Sequence, residues 1–334
     1  LISSKVEAQG NKVFITFNKN IELAGYLIHL ADPDANDPNH PITIELNNYP
    51  EDKQHPALAS IFAIAGDIDY DTIIHLFYSL PDFPLSDTYE VPDSLLISLG
   101  FESPSEKEGI RQLIKSVQQF SNESGFQNLW VNLKPYRDST KSLLDQIKPS
   151  EKLLSEMEVF YQQDFTAYRI IPSLTLWSGP GSGFKTEGNA ATFILGPLAE
   201  NYDYTDINKF HSLSVHEFGH SFVNTMVLKH AKEIIAETSH LYKPIKENMT
   251  RQGYGNWTAS IIEHFVRAGE VIIAEQMENY DLKEELLSEF GEDREFIYLP
   301  YFIDKLKHYR FKKELNYNES LVLILQDFQK EYTE

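Results

Sequence analysis

Two histidines four residues apart, His216 and His220, flank Glu217 in a segment whose apolar residues Phe210, Leu213, Phe218, Phe222 and Val223 recur at helical spacing. No other feature constrains the chain so tightly. On an α-helix, residues four apart stand about 40° apart around the axis and roughly 6 Å apart along it, so both imidazoles can share one cation. Two imidazoles and a carboxylate on a semi-buried face are costly unless something partners them. Gly219, within the same motif, lowers helix stability by roughly 1 kcal/mol relative to Ala, and its presence predicts close approach by another group. The plainer reading, two ordinary polar residues of an amphipathic helix, leaves the buried carboxylate unexplained.

The composition narrows what that helix can serve. With no cysteine in 334 residues, disulfides, thiol catalysis and Cys-containing metal sites are excluded, so any metal must be held by His, Asp or Glu. The 50 acidic against 29 basic residues, a net charge of −21, argue against a nucleic-acid partner and disfavour an anionic membrane surface. No stretch approaches the ~18 uninterrupted apolar residues of a membrane-spanning segment. The first residue, Leu1, reads as that of a mature or trimmed chain. An exported bacterial protein (periplasmic, surface or extracellular) is the expectation, although a cytoplasmic one would have the same composition.

Organisation changes near Phe165, which divides the chain into an N-terminal α/β region, 1–164, and a second region, 165–334. In the first, Val13, Ile15 and Phe17 alternate as in a strand, and 32–49 is rich in Pro, Asp and Asn and reads as loop. Helices are expected over 57–65, 70–80, 105–120 and 150–163. In the second, 167–177 and 190–195 are β-rich, and the glycine-dense 178–183 between them reads as the turn of a long hairpin. After Tyr204 the pattern is almost wholly helical, with helices expected near 206–229, 232–239, 256–277, 298–309 and 319–332.

Two imidazoles leave a metal short of a third protein ligand. Position 226 is Met, so no third His follows at six residues. The next long helix carries Glu263, Arg267 and Glu270 on one stripe, within the apolar residues Ile261, Ile262, Phe265, Val266 and Ile273. A carboxylate in such surroundings wants a cation, and Glu263 is the preferred ligand, with Glu270, His264 and Glu237 as alternatives. A Glu263–Arg267 ion pair one turn apart is the metal-free alternative.

His216-Glu217-Phe218-Gly219-His220 followed by a helical Glu resembles the gluzincin branch of the zincin metallopeptidases, over roughly 167–277. The chain is also similar to uncharacterised peptidase-like domains of exported bacterial proteins. The resemblance implies an α+β, zincin-like fold: a mixed sheet whose edge strand packs on the motif helix and aligns a peptide, then a mainly helical C-terminal half. The segment 190–195 is where that edge strand is expected. It also implies Zn²⁺ on His216, His220 and Glu263, and a peptide or protein as substrate. Glu217 would hold the zinc-acidified water and take its proton. Arg267 and Glu270 would support the ligands; the donor to the transition-state oxyanion is sought among His264, Tyr254, Tyr242 and Arg267, with His264 and Tyr254 taken as the candidate catalytic residues and Arg267 as the partner of Glu263. A zincin scaffold that only binds a peptide or glycan is the alternative, and the presence of Glu217 argues against it.

Three other signals do not carry chemistry. Gly179 to Thr186 has Phe184 where a phosphate loop needs Gly before Lys. Asp67, Asp69 and Asp71 lack the remaining ligands of a calcium loop and read as a solvated helix start. Gly181-Ser182-Gly183 has the wrong spacing for a serine-nucleophile elbow.

Overall fold

The run Ala190–Leu195 is buried at every position, as befits a strand with neighbours on both sides. The computed structural model describes residues 12–333 other than 35, 87 and 180. Its strands are β1 (Val13–Ile15), β2 (Ala167–Pro172), β3 (Gly181–Thr186) and β4 (Ala190–Leu195), joined in one sheet in the order β1-β2-β4-β3. β1 pairs parallel with β2, β2 parallel with β4, and β3 antiparallel with β4. The fold is therefore α+β with a small mixed sheet.

Two expectations are corrected here. The edge strand is β3 rather than 190–195, which is internal. The glycine-dense segment is not the hairpin turn, because Gly181 already belongs to β3 (Pro180 lies outside the described residues). The true turn is 187–189, where Gly188 and Asn189 take left-handed backbone angles.

Helices make up most of the remainder. The first region holds α1 (Lys19–Ala31), α2 (Pro41–Leu46), α3 (Ala57–Ala65), α4 (Tyr70–Ser79), α5 (Asp93–Ser98), α6 (Pro104–Glu123), α7 (Phe126–Asn132), α8 (Lys134–Ile147) and α9 (Glu151–Tyr161). The second holds α10 (Ile207–His230), α11 (Lys232–Glu237), α12 (Lys246–Arg251), α13 (Trp257–Gln276), α14 (Tyr280–Ser288), α15 (Leu299–Leu306) and α16 (Tyr317–Thr333). The stretch 32–49, expected as loop, contains α2, started by Pro41 at its first position and capped by the His40 ring. Asp69 caps α4 by accepting from the Thr72 amide at 2.9 Å, in keeping with the helix start expected there. No described helix is long and apolar enough to cross a membrane.

The sheet ties the two regions together, since β1 comes from the first and its partner β2 from the second. One apolar cluster runs from Val13 to Phe328. Phe218 of α10 packs edge-on to Tyr168 of β2 (5.0 Å) and Phe193 of β4 (6.0 Å), which seats the motif helix on the sheet. Gly219 lets α13 approach: a Cβ there would lie 3.1 Å from Val266 and 3.4 Å from the Tyr161 hydroxyl. The close approach expected from that glycine is present.

Candidate metal centre

α10 presents His216, Glu217 and His220 to a cleft of about 2300 Å³, and α13 presents Glu263, Arg267 and Glu270 to the same space. The Nε2 atoms of His216 and His220 lie 3.3 Å apart. Glu263 Oε1 is 3.1 Å from His220 Nε2, and its Oε2 is 3.8 Å from His216 Nε2. One ligand atom from each of the three lies within 4.8 Å of the others, a grouping that could hold a metal ion.

What surrounds these atoms fixes their protons. His216 Nδ1 is 2.7 Å from Glu270 Oε1, and a carboxylate only accepts, so Nδ1 carries the hydrogen and Nε2 offers a bare lone pair. His220 Nδ1 is 3.1 Å from Asn224 Oδ1, which assigns its hydrogen the same way. Two imidazole lone pairs and an anionic carboxylate thus point at one another. A proton relieves part of this. Burial opposes charge on His220, but the Glu263 carboxylate overrides it and holds the ring's pKa up to about 10. Burial would likewise push the Glu263 carboxyl up, yet the facing His220 and His216 rings and Arg267 keep it far below the usual carboxylate range.

One proton cannot satisfy every contact. Glu263 Oε2 remains buried without a hydrogen-bond partner, although Arg267 Nη2 stands 3.3 Å away in an ion pair of unsuitable angle. An orphaned carboxylate oxygen beside two imidazole Nε2 atoms, the His220 one able to give up its proton to an incoming cation, is the donor set of a divalent-cation site. The residues fit a metal.

Glu217 is buried in the same wall, where desolvation raises its carboxyl to about 7 against the pull of His216 and His220. Edge strand β3 crosses α10 at this residue. A Cβ on Gly181 would lie 2.0 Å from Glu217 Oε1, and one on Gly183 only 1.8 Å from the Glu217 backbone oxygen. Gly183→Ala is therefore expected to destabilise the fold by roughly 1–3 kcal/mol or more, because backbone meets backbone and neither can rotate aside. Gly181→Ala meets only a side-chain end and should cost less. Urea unfolding of both variants measures the difference, and equal stabilities would contradict the packing.

The other residues named from sequence separate clearly. Tyr254 lines the cleft, and its hydroxyl accepts from Arg267 Nη2 at 2.9 Å. Arg267 is held between the rings of Phe290 and Phe296, 4.5 and 4.9 Å from its guanidinium carbon. Glu270 orients His216. His264 is corrected: it is fully buried, its Nδ1 lies 2.6 Å from the Ser260 carbonyl oxygen, and its ring packs among Phe296, Tyr298 and Phe302, away from the cleft. Burial lowers its pKa to about 4, so it is a neutral core histidine. Tyr242 donates to the Tyr254 carbonyl oxygen at 2.6 Å and supports that segment from behind. Glu237 is exposed, accepts from Gln329 and is not among the residues that line the cleft. Sequence reasoning missed Asn224, whose position four residues after His220 was a readable signal, and Tyr70, whose place in the cleft no local pattern announces.

Residues 15–322 match the model of a family described as a domain of unknown function, DUF4932. The chain belongs to the DUF4932 family. No curated protein and no solved structure matches it.

Proposed function

We propose that the protein is a zinc-dependent peptidase, with His216, His220 and Glu263 as the metal ligands and Glu217 as the general base. The observation that carries this reading is the convergence, in an open cleft, of two imidazole Nε2 atoms and the Glu263 carboxylate, one of whose oxygens is buried without a hydrogen-bond partner. Two imidazoles and one carboxylate favour a borderline transition metal over calcium or magnesium, which prefer all-oxygen sites. Zinc bound there would act as a Lewis acid and lower the pKa of water towards ~7.

The chain's own residues supply the rest. Glu217, buried beside the ligands, accepts a proton from the attacking water and returns it to the departing amine nitrogen. Glu270 and Asn224 fix the two imidazole rings, so their Nε2 atoms need not reorient on binding. Arg267, pinned by aromatic rings and Tyr254, holds the Glu263 carboxylate. β3 is the last strand on its side of the sheet and borders the cleft, so an extended peptide can pair along it.

Purified protein equilibrated with zinc and then desalted should retain about one ion per chain, as a single three-ligand site demands. It should also cleave members of a mixed peptide library, losing activity to a chelator and regaining it with added zinc. Absence of retained metal would overturn the proposal; retained metal without cleavage would leave a binding scaffold.

A further inference from the structure

α4 opens with Tyr70, a residue of the N-terminal region that reaches the cleft lined by His216, Glu217, His220 and Glu263. Its ring packs edge-on to Trp177, centroids 5.4 Å apart, which fixes the direction of the phenol. The next turns of α4 lie over β3, with His75 stacked on Phe184 at 4.1 Å and Tyr78 edge-on to it at 5.6 Å. Tyr70 is thus anchored on the β3 side of the cleft, the side on which Glu217 sits.

The Tyr70 hydroxyl oxygen is shielded from solvent and has no hydrogen-bond partner. Buried phenols normally find one, and leaving a polar group unsatisfied is costly, so such an atom requires an explanation. Burial raises this phenol well above its ordinary pKa, reinforced by the Asp71 and Glu217 carboxylates, so the group stays protonated as a donor. The second phenol of the cleft differs. Tyr254 stands on the Glu263 side and already accepts from Arg267. Its position is accounted for by that contact; the position of the Tyr70 hydroxyl is not.

We propose that Tyr70 is a catalytic residue whose hydroxyl donates a hydrogen bond to the substrate oxygen on which negative charge develops, beside Glu217. No covalent bond to Tyr70 forms or breaks; the phenol keeps its proton and stabilises the charge. The active site would then be assembled from both regions of the chain, with its acid–base group and its metal ligands on α10 and α13 and this donor on α4. The assignment rests on the peptidase reading for the reaction, but the donor itself can be tested without turnover.

The test compares zinc-loaded wild type with Tyr70→Phe, which keeps the ring against Trp177 and removes only the hydroxyl. Inorganic phosphate serves as a tetrahedral oxyanion probe in calorimetry, and a cleaved library peptide as substrate. Loss of a donor to a charged oxygen should weaken phosphate binding about 10- to 100-fold and lower kcat about 10²- to 10³-fold with KM little changed. Zinc content should be unchanged, and the thermal midpoint should hold or rise, because the hydroxyl is unsatisfied in the free protein. Unchanged phosphate affinity, a wild type that binds no phosphate, or a variant that loses zinc or stability would each overturn the assignment. Weakened phosphate binding in a protein that cleaves no peptide would uphold Tyr70 and reject the peptidase reading.

Discussion

Glu217→Gln is expected to keep zinc and fold while hydrolysis falls by ~10²–10⁴-fold or more, the range of a lost general base. Gln matches Glu in size, so the contact beneath Gly181 survives, and only the proton-accepting oxygen is lost. Glu217 is not among the grouped ligand atoms, so metal content has no reason to change. The expectation depends on the environment as well as the residue type. An exposed glutamate titrates near 4.5, whereas burial raises this one to about 7 in the metal-free protein, so its surroundings make it the stronger proton acceptor. Elemental analysis and a progress curve on the same sample decide it. A variant as active as wild type would remove Glu217 from the chemistry, and one that lost metal would show it acting as a ligand.

The parts of this centre that were legible in sequence are those fixed within one helix. The i, i+4 spacing of His216 and His220 survives any tertiary arrangement, and so does the apolar stripe that buries their helix. Glu263 was legible for a related reason: an acid surrounded by Ile261, Ile262, Phe265 and Val266 must find a cation wherever its helix docks. His264 shows the limit of that logic. One residue further along turns a side chain by about 100°, enough to take it from the cleft into the aromatic core. Sequence proximity to a ligand said nothing about which way the ring faces.

Glycine misled for a different reason. Gly179, Gly181 and Gly183 look like turn residues, because turns are where glycine's conformational freedom is most often needed. Gly181 and Gly183 serve instead to let an edge strand lie against the Glu217 turn of α10, a need set by an element more than 30 residues away. The strand nearest the motif in sequence, 190–195, lies inside the sheet, and β3 folds back outside it to form the edge. Tyr70 lies further still from the motif in sequence. Its contribution exists only after α4 has packed over β3 against Phe184, so no local periodicity encodes it.

The expected result for Glu263→Ala is a large loss of zinc affinity, since the third protein ligand and the only anionic one in the group would be gone. The two histidines would retain their mutual orientation, because Glu270 and Asn224 hold them independently of Glu263. Some zinc should therefore remain at high concentration, and His216→Ala with His220→Ala in one chain should abolish retention altogether. Arg267→Ala offers the discriminating comparison. If the arginine only positions the carboxylate, metal affinity should fall roughly 10- to 100-fold, as for other supporting partners, and less than in Glu263→Ala. The ion-pair alternative makes the opposite demand. Were the Glu263–Arg267 contact at 3.3 Å the purpose of both residues, either substitution would leave a buried charge unpaired. Stability would then drop similarly in both, by roughly 3–5 kcal/mol, with zinc retention unaffected. Competition against a fluorescent zinc chelator, with urea unfolding of the metal-free proteins alongside, separates the two cases. Unaltered zinc affinity in Glu263→Ala would show that the carboxylate faces the imidazoles as an ion-pair partner and not as a ligand.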